Sequence, residues 1–553
     1  MFCLLSVLVF LGGKEVHGAE SLNALSGARR HQDQQLEMLH SQALKQPDVL
    51  SSTPLEQNDT LVFAKEAPCV AVHVVEWRGA SEFPWLPDTP PIVGHCVGGE
   101  GLGRFRHWVA EQFIARGYLT TQVSIPQQDL ANGRLIVDVI AGRIGSIREH
   151  PDSIGWTRPV FPGVKGALLN VRDLDQALEN VRRLPGQAVT AFDLVPGSGL
   201  GESDILIQHP KDADRVMGML TADNSGIDAT GRNQLGVIMA IDSPLWLYDQ
   251  FLLTYNSDAE FGNHTLGSSS KSAAWNVPFG YALFSLGASE WESKQQLLKD
   301  GDGNGIPLTS KTRRFDAGIS AVAYRSSHSK GTFNSRLIRR LDQSWVSSTE
   351  LLQLHRDITS YEFSIAHREK LSRGILDFEL GLRGSLPGMS SSPGAIYEKQ
   401  DWKGRYRIFT AKASAGTTFL VGEKTLGYQS TASFQYSPVP VPSTEYLQIG
   451  GRYTVRGFDG NTTLAGPGGW TWRNEVAMAA PLGSQVYTAL DAAEVSSAAS
   501  QQPGGRMLIG GAIGLRGNLN SFGYDASLGL PLKKPGYLQS RMPTLDFSIT
   551  SRF

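Results

Sequence analysis

From about Arg215 onward, apolar residues recur at every second position. "QFLLTYN" places Phe251, Leu253 and Tyr255 on one side. "LDFELGLRG" sets Leu376, Phe378, Leu380 and Leu382 against Asp377, Glu379, Gly381 and Arg383. "TASFQYS" sets Ala432, Phe434 and Tyr436 against Thr431, Ser433 and Gln435, and "SFGYDASLGL" repeats the pattern from Phe522 to Leu530. A period of two means strands with one apolar and one polar face. Strands of soluble sandwiches average about 5–6 residues, whereas these runs approach the roughly 9–11 residues of a tilted membrane strand. A soluble sandwich could wet the polar face outside; in a bilayer that face must line a water-filled lumen.

The last ten residues, "TLDFSITSRF", show the consequence. Leu545, Phe547, Ile549 and Phe553 share one side, with Ser551 the polar exception; Asp546, Ser548, Thr550 and Arg552 share the other. An arginine on the lipid face at mid-bilayer costs about 2–4 kcal/mol, so Arg552 is expected to face the lumen and Phe553 the lipid. The 339 residues from Arg215 to Phe553, at about 20 per strand and turn, predict a membrane β-barrel of about 16 antiparallel strands. Closure follows, because lipid supplies no hydrogen bonds to an open edge.

Ahead of the barrel the periodicity alternates between helix and strand. From Cys69 to Gly142, "CVAVHVVEWRG" reads as a strand and "RFRHWVAEQFIARGY" as a helix with Phe105, Trp108, Val109 and Phe113 on one face. "LTTQVSIP" and "GRLIVDVIAG" then read as strands joined near Asn132-Gly133. A similar unit runs from Ile144 to about His209. Its helix, "NVRDLDQALENVRRLPG", has Asn170 as N-cap and Leu174, Leu178 and Val181 on its inner face.

The leading segment, "MFCLLSVLVFLGGKEVHGAE", has about ten apolar residues and a small-residue pattern, Val16-His17-Gly18, before Ala19. It resembles a secretory signal without the usual positive start; a buried terminal strand is the alternative. Ser21 to Lys45 is helix-compatible with only a thin apolar stripe (Leu36, Leu39, Ala43), which suits a water-filled site or disorder. Gln46 to Ala67 reads as a linker. The expected division is therefore 1–18 signal, 19–45 polar helix, 46–67 linker, 68–143 and 144–210 α/β units, and 211–553 barrel.

Composition changes little. Net charge is -2 and 19% of residues are charged, which gives no reason to expect nucleic acid. Cys3 leaves with the signal, so Cys69 and Cys96 form an even pair in an exported chain. A disulfide is expected, stabilising its unit by about 3–4 kcal/mol, with two buried thiols as the alternative. "DGDGNG", Asp300 to Gly305, resembles the start of a calcium loop but has Lys311 at the twelfth position, so an external turn is expected. "GNHTLGSSSK" has Ser268 where a phosphate loop needs lysine. The twelve histidines show no ligand-like spacing, and no nucleophile-base set stands out. Neither a metal, nor a cofactor, nor an enzymatic activity is expected.

Together, "PCVAVHVVEWRG", "HCVGG", "ARGYLTTQVSIPQQDLANGRLIVDVIAGRIGSI", "LLNVRDLDQALENVRRLPG" and "GGRYTVRGFDG" resemble the two-partner-secretion (TpsB) transporters, the exporters of hemolysin, filamentous hemagglutinin and contact-dependent-inhibition proteins. The resemblance covers nearly the whole mature chain. It implies two periplasmic POTRA domains, a plug helix in the lumen and a 16-stranded barrel in the outer membrane of a Gram-negative bacterium. It further implies export of a secreted exoprotein, recognised by the POTRA domains, without nucleotide hydrolysis. The motif Val455, Arg456, Gly457, Phe458 corresponds to the tip of a long external loop that folds into the barrel, its arginine pairing with a wall aspartate. Asp491 in "YTALDAAEV" is the candidate, although the family's glycine two residues later is Ala493 here. An arginine fork on a carboxylate is worth about 1–3 kcal/mol in a partly wet lumen; a solvated loop arginine is the plain alternative. Phe553 resembles the terminal signal read by the barrel-assembly machinery. A factor that inserts other outer-membrane proteins is the alternative function.

Overall fold

The computed structural model describes residues 49–50, 61–149, 154–211, 213–263, 265–299, 305–391, 404–496 and 505–553. The expected signal, the 19–45 helix, most of the linker and residues 300–304 of the "DGDGNG" turn lie outside these.

The first unit comprises strands β1 (Val74–Arg78), β2 (Gln122–Ser124) and β3 (Arg134–Ile140) and helix α1 (Gly99–Ala115). The strand expected over "CVAVHVVEWRG" is broken: Val70–Ala71 instead pairs with Cys96–Val97, because Val72 and His73 turn to bond His95 and Gly133. The Cys69–Cys96 disulfide closes that ribbon. Helix α1 starts five residues earlier than the stretch read as helix, behind a glycine that supplies no side-chain cap. The cap comes from the linker. Glu66 accepts from Glu100 N at 3.1 Å and Gly101 N at 2.7 Å, satisfying orphan donors and placing a carboxylate at the positive helix end. Arg104 holds the Val62 carbonyl at 3.3 Å, and Leu61 and Phe63 pack on the unit's core.

The second unit has β4 (Arg143–Arg148), α2 (Val171–Arg182), β5 (Ala191–Pro196) and β6 (Glu202–Gln208). Asn170 caps α2, accepting from Arg172 N at 2.9 Å. One face of α2 packs on Ile144, Val160, Ile205 and Ile207. The other is fixed to the barrel. Glu179 binds Arg325 at 2.9 Å and Lys330 at 3.0 Å. Asn180 donates to the Gly280 carbonyl at 2.8 Å, and the Tyr281 hydroxyl donates to Asp173 at 2.5 Å. Burial raises the pKa of Glu179, but its bonds to Arg325 and Lys330 outweigh that and leave it below the usual glutamate value.

The barrel closes sixteen strands: β7 (Val216–Asp223), β8 (Gln234–Asp242), β9 (Gln250–Asp258), β10 (Gly267–Phe279), β11 (Ala282–Lys299), β12 (Gly305–Arg325), β13 (Ser329–Val346), β14 (Arg356–Leu371), β15 (Gly374–Ser385), β16 (Arg407–Val421), β17 (Lys424–Tyr436), β18 (Gly469–Ala480), β19 (Ser484–Val495), β20 (Met507–Leu519), β21 (Phe522–Lys533) and β22 (Thr544–Arg552). Each pairs antiparallel with its neighbour, and β22 returns to β7. The alternation lands as expected: Leu380, Ile365 and Phe315 are exposed outside, while Gln234, Asn256 and Asp546 are buried inside. Lengths run from 8 to 21 residues, so β11–β13 project well beyond the apolar band.

The seam is short, five paired residues from Ser548↔Asp223 to Arg552↔Met219. Phe553 extends it by exchanging both backbone bonds with Gly218, at 2.8 and 3.0 Å, and its ring is exposed on the outer face. At the other end the Asn224 amide imitates a strand, accepting from Phe547 N at 2.9 Å and donating to the Leu545 carbonyl at 2.7 Å.

Replacing Glu179 by alanine leaves Arg325 and Lys330 in the contact without their carboxylate, a loss of about 3–5 kcal/mol for a buried pair. Amide exchange across α2 should accelerate while the barrel strands keep their protection. A folded-state pKa below the unfolded one makes the contribution present at neutral pH and lost as pH falls below the ordinary glutamate value, about 4.5. Unchanged exchange in E179A at pH 7 would contradict this.

Candidate functional site

The chain between β17 and β18, residues 437–468, leaves the end of the barrel far from the α/β units and folds back inside. A small ribbon, Leu447–Ile449 with Leu464–Gly466, gives it shape. At its tip lie Val455, Arg456, Gly457 and Phe458. Val455 and Phe458 are fully buried with Ile449, Leu464, Val495, Leu508 and Leu538. Burying such side chains against Val495 and Leu508 of the barrel wall gives the loop a small apolar core inside the polar lumen.

Arg456 stands beside that core. Its Nε and Nη2 donate to the two oxygens of Asp491 at 2.8 Å each, and its backbone N–H donates to Asp491 at 2.9 Å. Nη1 donates to Glu475 at 2.6 Å, and Nη2 also reaches the Asn474 carbonyl at 3.1 Å. Asp491 is 0% exposed and accepts a further bond from Asn474 N at 3.2 Å. Glu475 is shared with Arg516 at 2.7 Å. Planar, bidentate pairing of this kind fixes orientation as well as charge, which lysine cannot do.

The wall is shaped for the tip. Gly457 has φ +96°, and a Cβ there would lie 2.5 Å from the Leu530 carbonyl oxygen. Gly510 on β20 faces the Arg456 carbonyl so closely that a Cβ would overlap it. Ala493, which stands where the family pattern has glycine, is buried at 0% exposure and contributes its methyl group to the tip's apolar cluster.

The loop is tied down elsewhere. Glu445 binds Arg383 on β15 at 3.1 Å. Arg452 reaches Asn224 at 3.3 Å, next to the seam. Asn461 donates to Asp228 at 2.8 Å, and Arg541 binds the same carboxylate at 2.7 Å. The loop thus spans the lumen from β15 to the β7–β22 junction. Sequence reading placed Arg456 with Asp491 but missed Glu475, Arg516 and Glu445. Glu475 has the same inward parity as Arg473 in "TWRNEVA", a usable signal, but no pattern reveals that β18 and β19 bring Arg473 opposite Asp491. Among the described residues no group of three or more His, Cys, Asp or Glu is placed to hold a metal.

A closed barrel with an external loop pinned inside it, and two α/β units at its other mouth, defines an outer-membrane transporter. A family model described as "Haemolysin secretion/activation protein ShlB/FhaC/HecB" matches residues 201–517. A ShlB-type POTRA domain matches 70–142, and a second POTRA domain 143–196. The outer membrane transporter CdiB-2 of Burkholderia pseudomallei is 31% identical over 522 residues, covering 92% of this chain and 88% of that protein. The hemolysin transporter ShlB of Serratia marcescens is 27% identical, covering 85% and 82%. The solved CdiB of Acinetobacter baumannii superposes with TM-score 0.83 at 25% identity, covering 96% of this chain and 99% of that one. The chain belongs to the haemolysin secretion/activation protein family, the outer-membrane transporters of two-partner secretion, with its POTRA domains in the periplasm.

Arg456→Ala strips the buried Asp491 of its bidentate partner and leaves Glu475 with Arg516 alone, costing about 3–5 kcal/mol at the tip. Hydrogen exchange over residues 452–460 should rise sharply, and Arg456→Lys should rescue only part of the protection. Gly457→Ala should give a similar loosening through backbone strain of about 1–3 kcal/mol. Full protection in R456A would show that the apolar cluster alone holds the tip.

Proposed function

We propose that the protein captures a secreted partner chain at its POTRA domains and passes it through the barrel lumen, with the Arg456-anchored loop setting whether the passage is blocked. The anchor carries this reading: a charged fork buried against the wall by a loop that crosses the lumen is costly unless the loop's position matters. Strand addition at the open edges of the POTRA sheets, β1 and β5 among them, suits an unfolded chain, because main-chain bonds give affinity without a fixed sequence. The buried α2–barrel contact places the second POTRA domain directly at the lumen mouth. Lys370, on the lumen side near the periplasmic end of β14, donates to the Leu50 carbonyl at 2.6 Å. That contact supports a leading segment that enters the lumen as a plug. The chain is a transporter and acts without catalysis or nucleotide, so net movement draws on folding of the partner outside. Outer-membrane lipid surrounds the barrel, and Phe553 at the seam is the residue offered to the barrel-assembly machinery.

The test is secretion. In cells carrying the transporter and its cognate exoprotein, R456A and a deletion should each lower the exoprotein in the medium, while other outer-membrane proteins stay at normal abundance. Undiminished secretion in the deletion would remove the export reading; a general loss of outer-membrane proteins would favour an insertion factor.

A further inference from the structure

The outward face of β10–β12 changes character along its length. Toward the periplasm it carries Trp275, Phe284, Leu286 and Ile319, the apolar band expected of a lipid-facing surface. Beyond Ala273, Ala288 and Phe315 it turns to charge. One cross-strand row aligns Tyr255, Lys271, Glu290 and Arg313 on four successive strands, and Lys311 is the next outward residue on β12. Glu290 binds Lys271 at 3.0 Å, Lys311 at 3.0 Å and Arg313 Nε at 2.8 Å. One carboxylate therefore holds three cations together against their mutual repulsion.

The position of this cluster is fixed by the fold. The second POTRA domain meets the barrel at Gly280 and Tyr281, the turn between β10 and β11. The charged row lies toward the opposite ends of those strands, at the external boundary of the apolar band. Lys271 is 68% exposed and Arg313 45%. An ammonium has three donors and a guanidinium five, so the bonds to Glu290 leave most of the trio's donors for a partner from outside. Counting Glu292, which faces the same way, the group is net positive by one charge.

Below the cations, Ala273 and Ala288 lie opposite each other, flanked by Leu253 and Phe315. Two small residues between two large ones leave a shallow apolar notch beneath the charged row, floored by Trp275 and Leu286. Donors above and an apolar notch below match a molecule with an anionic head and a hydrocarbon tail. We propose that this face of β10–β12 binds a phosphate-bearing lipid of the outer leaflet. Lys271, Lys311 and Arg313 take the phosphate, Glu290 positions them, and an acyl chain lies along Ala273 and Ala288. Guanidinium and ammonium donors suit phosphate oxygens, and the interfacial setting strengthens the attraction.

Native mass spectrometry of the full-length transporter in detergent tests this, with diphosphoryl lipid A and its dephosphorylated form as probes. The wild type should retain the phosphorylated lipid in clear preference. The K271A/K311A/R313A variant should bind it about a hundredfold more weakly, at about fivefold per cation, whereas K271R/K311R should bind like wild type. Heat-modifiable migration on gels verifies that each barrel is folded; should the triple variant not assemble, Lys271→Ala and Arg313→Ala singly should each lower binding about fivefold. Equal retention of both lipids by the wild type, unchanged binding in the folded variants, or full displacement by millimolar inorganic phosphate would overturn the proposal.

Discussion

Hydrocarbon offers a peptide group nothing to bond with, and that constraint orders the rest of the molecule. Every amide between Val216 and Arg552 that meets lipid must find its partner in the next strand, so the sheet has to close. Closure is hardest where the first and last strands meet, and there the backbone ladder is short. Phe553 adds one more exchange of main-chain bonds, and the Asn224 side chain supplies two bonds that a further residue pair would have made. Arg452 of the inward loop leans on that same asparagine. The seam and the lumen strap are thus joined through one amide.

A wet interior follows from the closed skin, and it sets the terms for the loop. In water alone an arginine fork would hold little; packed against Asp491 and beside an apolar knot of its own, it holds firmly. The strap is fixed at its arginine tip, at Glu445 on one wall, and at Asn461 near the other. At the opposite mouth, Glu179 performs the comparable task between α2 and the barrel, again as a carboxylate shared by two cations. Both contacts thus centre on a carboxylate shared by two cations, Glu475 at the loop tip and Glu179 at the helix.

Much of this was legible in the sequence, for identifiable reasons. Period-two alternation in "LDFELGLRG" sorts lipid from lumen whichever strands are neighbours, and the inward parity of Arg552 needed only the cost of a charge in lipid. Helix α2 announced itself through Asn170 and the Leu174–Val181 stripe. What escaped was whatever depends on long-range register. The Glu66 cap of α1 comes from a residue 34 positions away from the amide it satisfies. Glu475 joins the arginine site only because β18 lies beside β19. The break at Val72-His73 was hidden because both residues are good strand formers whose amides are claimed by a distant turn. Ala493 departs from the family's glycine, yet the space is used: its methyl group fills what a hydrogen would leave open.

The Glu66 cap also sets a leash. Residues 61–66 are stapled along α1, and Leu50 touches the lumen wall at Lys370. Eleven peptide steps separate Leu50 from Leu61, so Leu50, if it leaves the wall, stays within about 40 Å of that anchored stretch. The contact between Leu50 and Lys370, once broken, is thereby kept at a local concentration that favours its return.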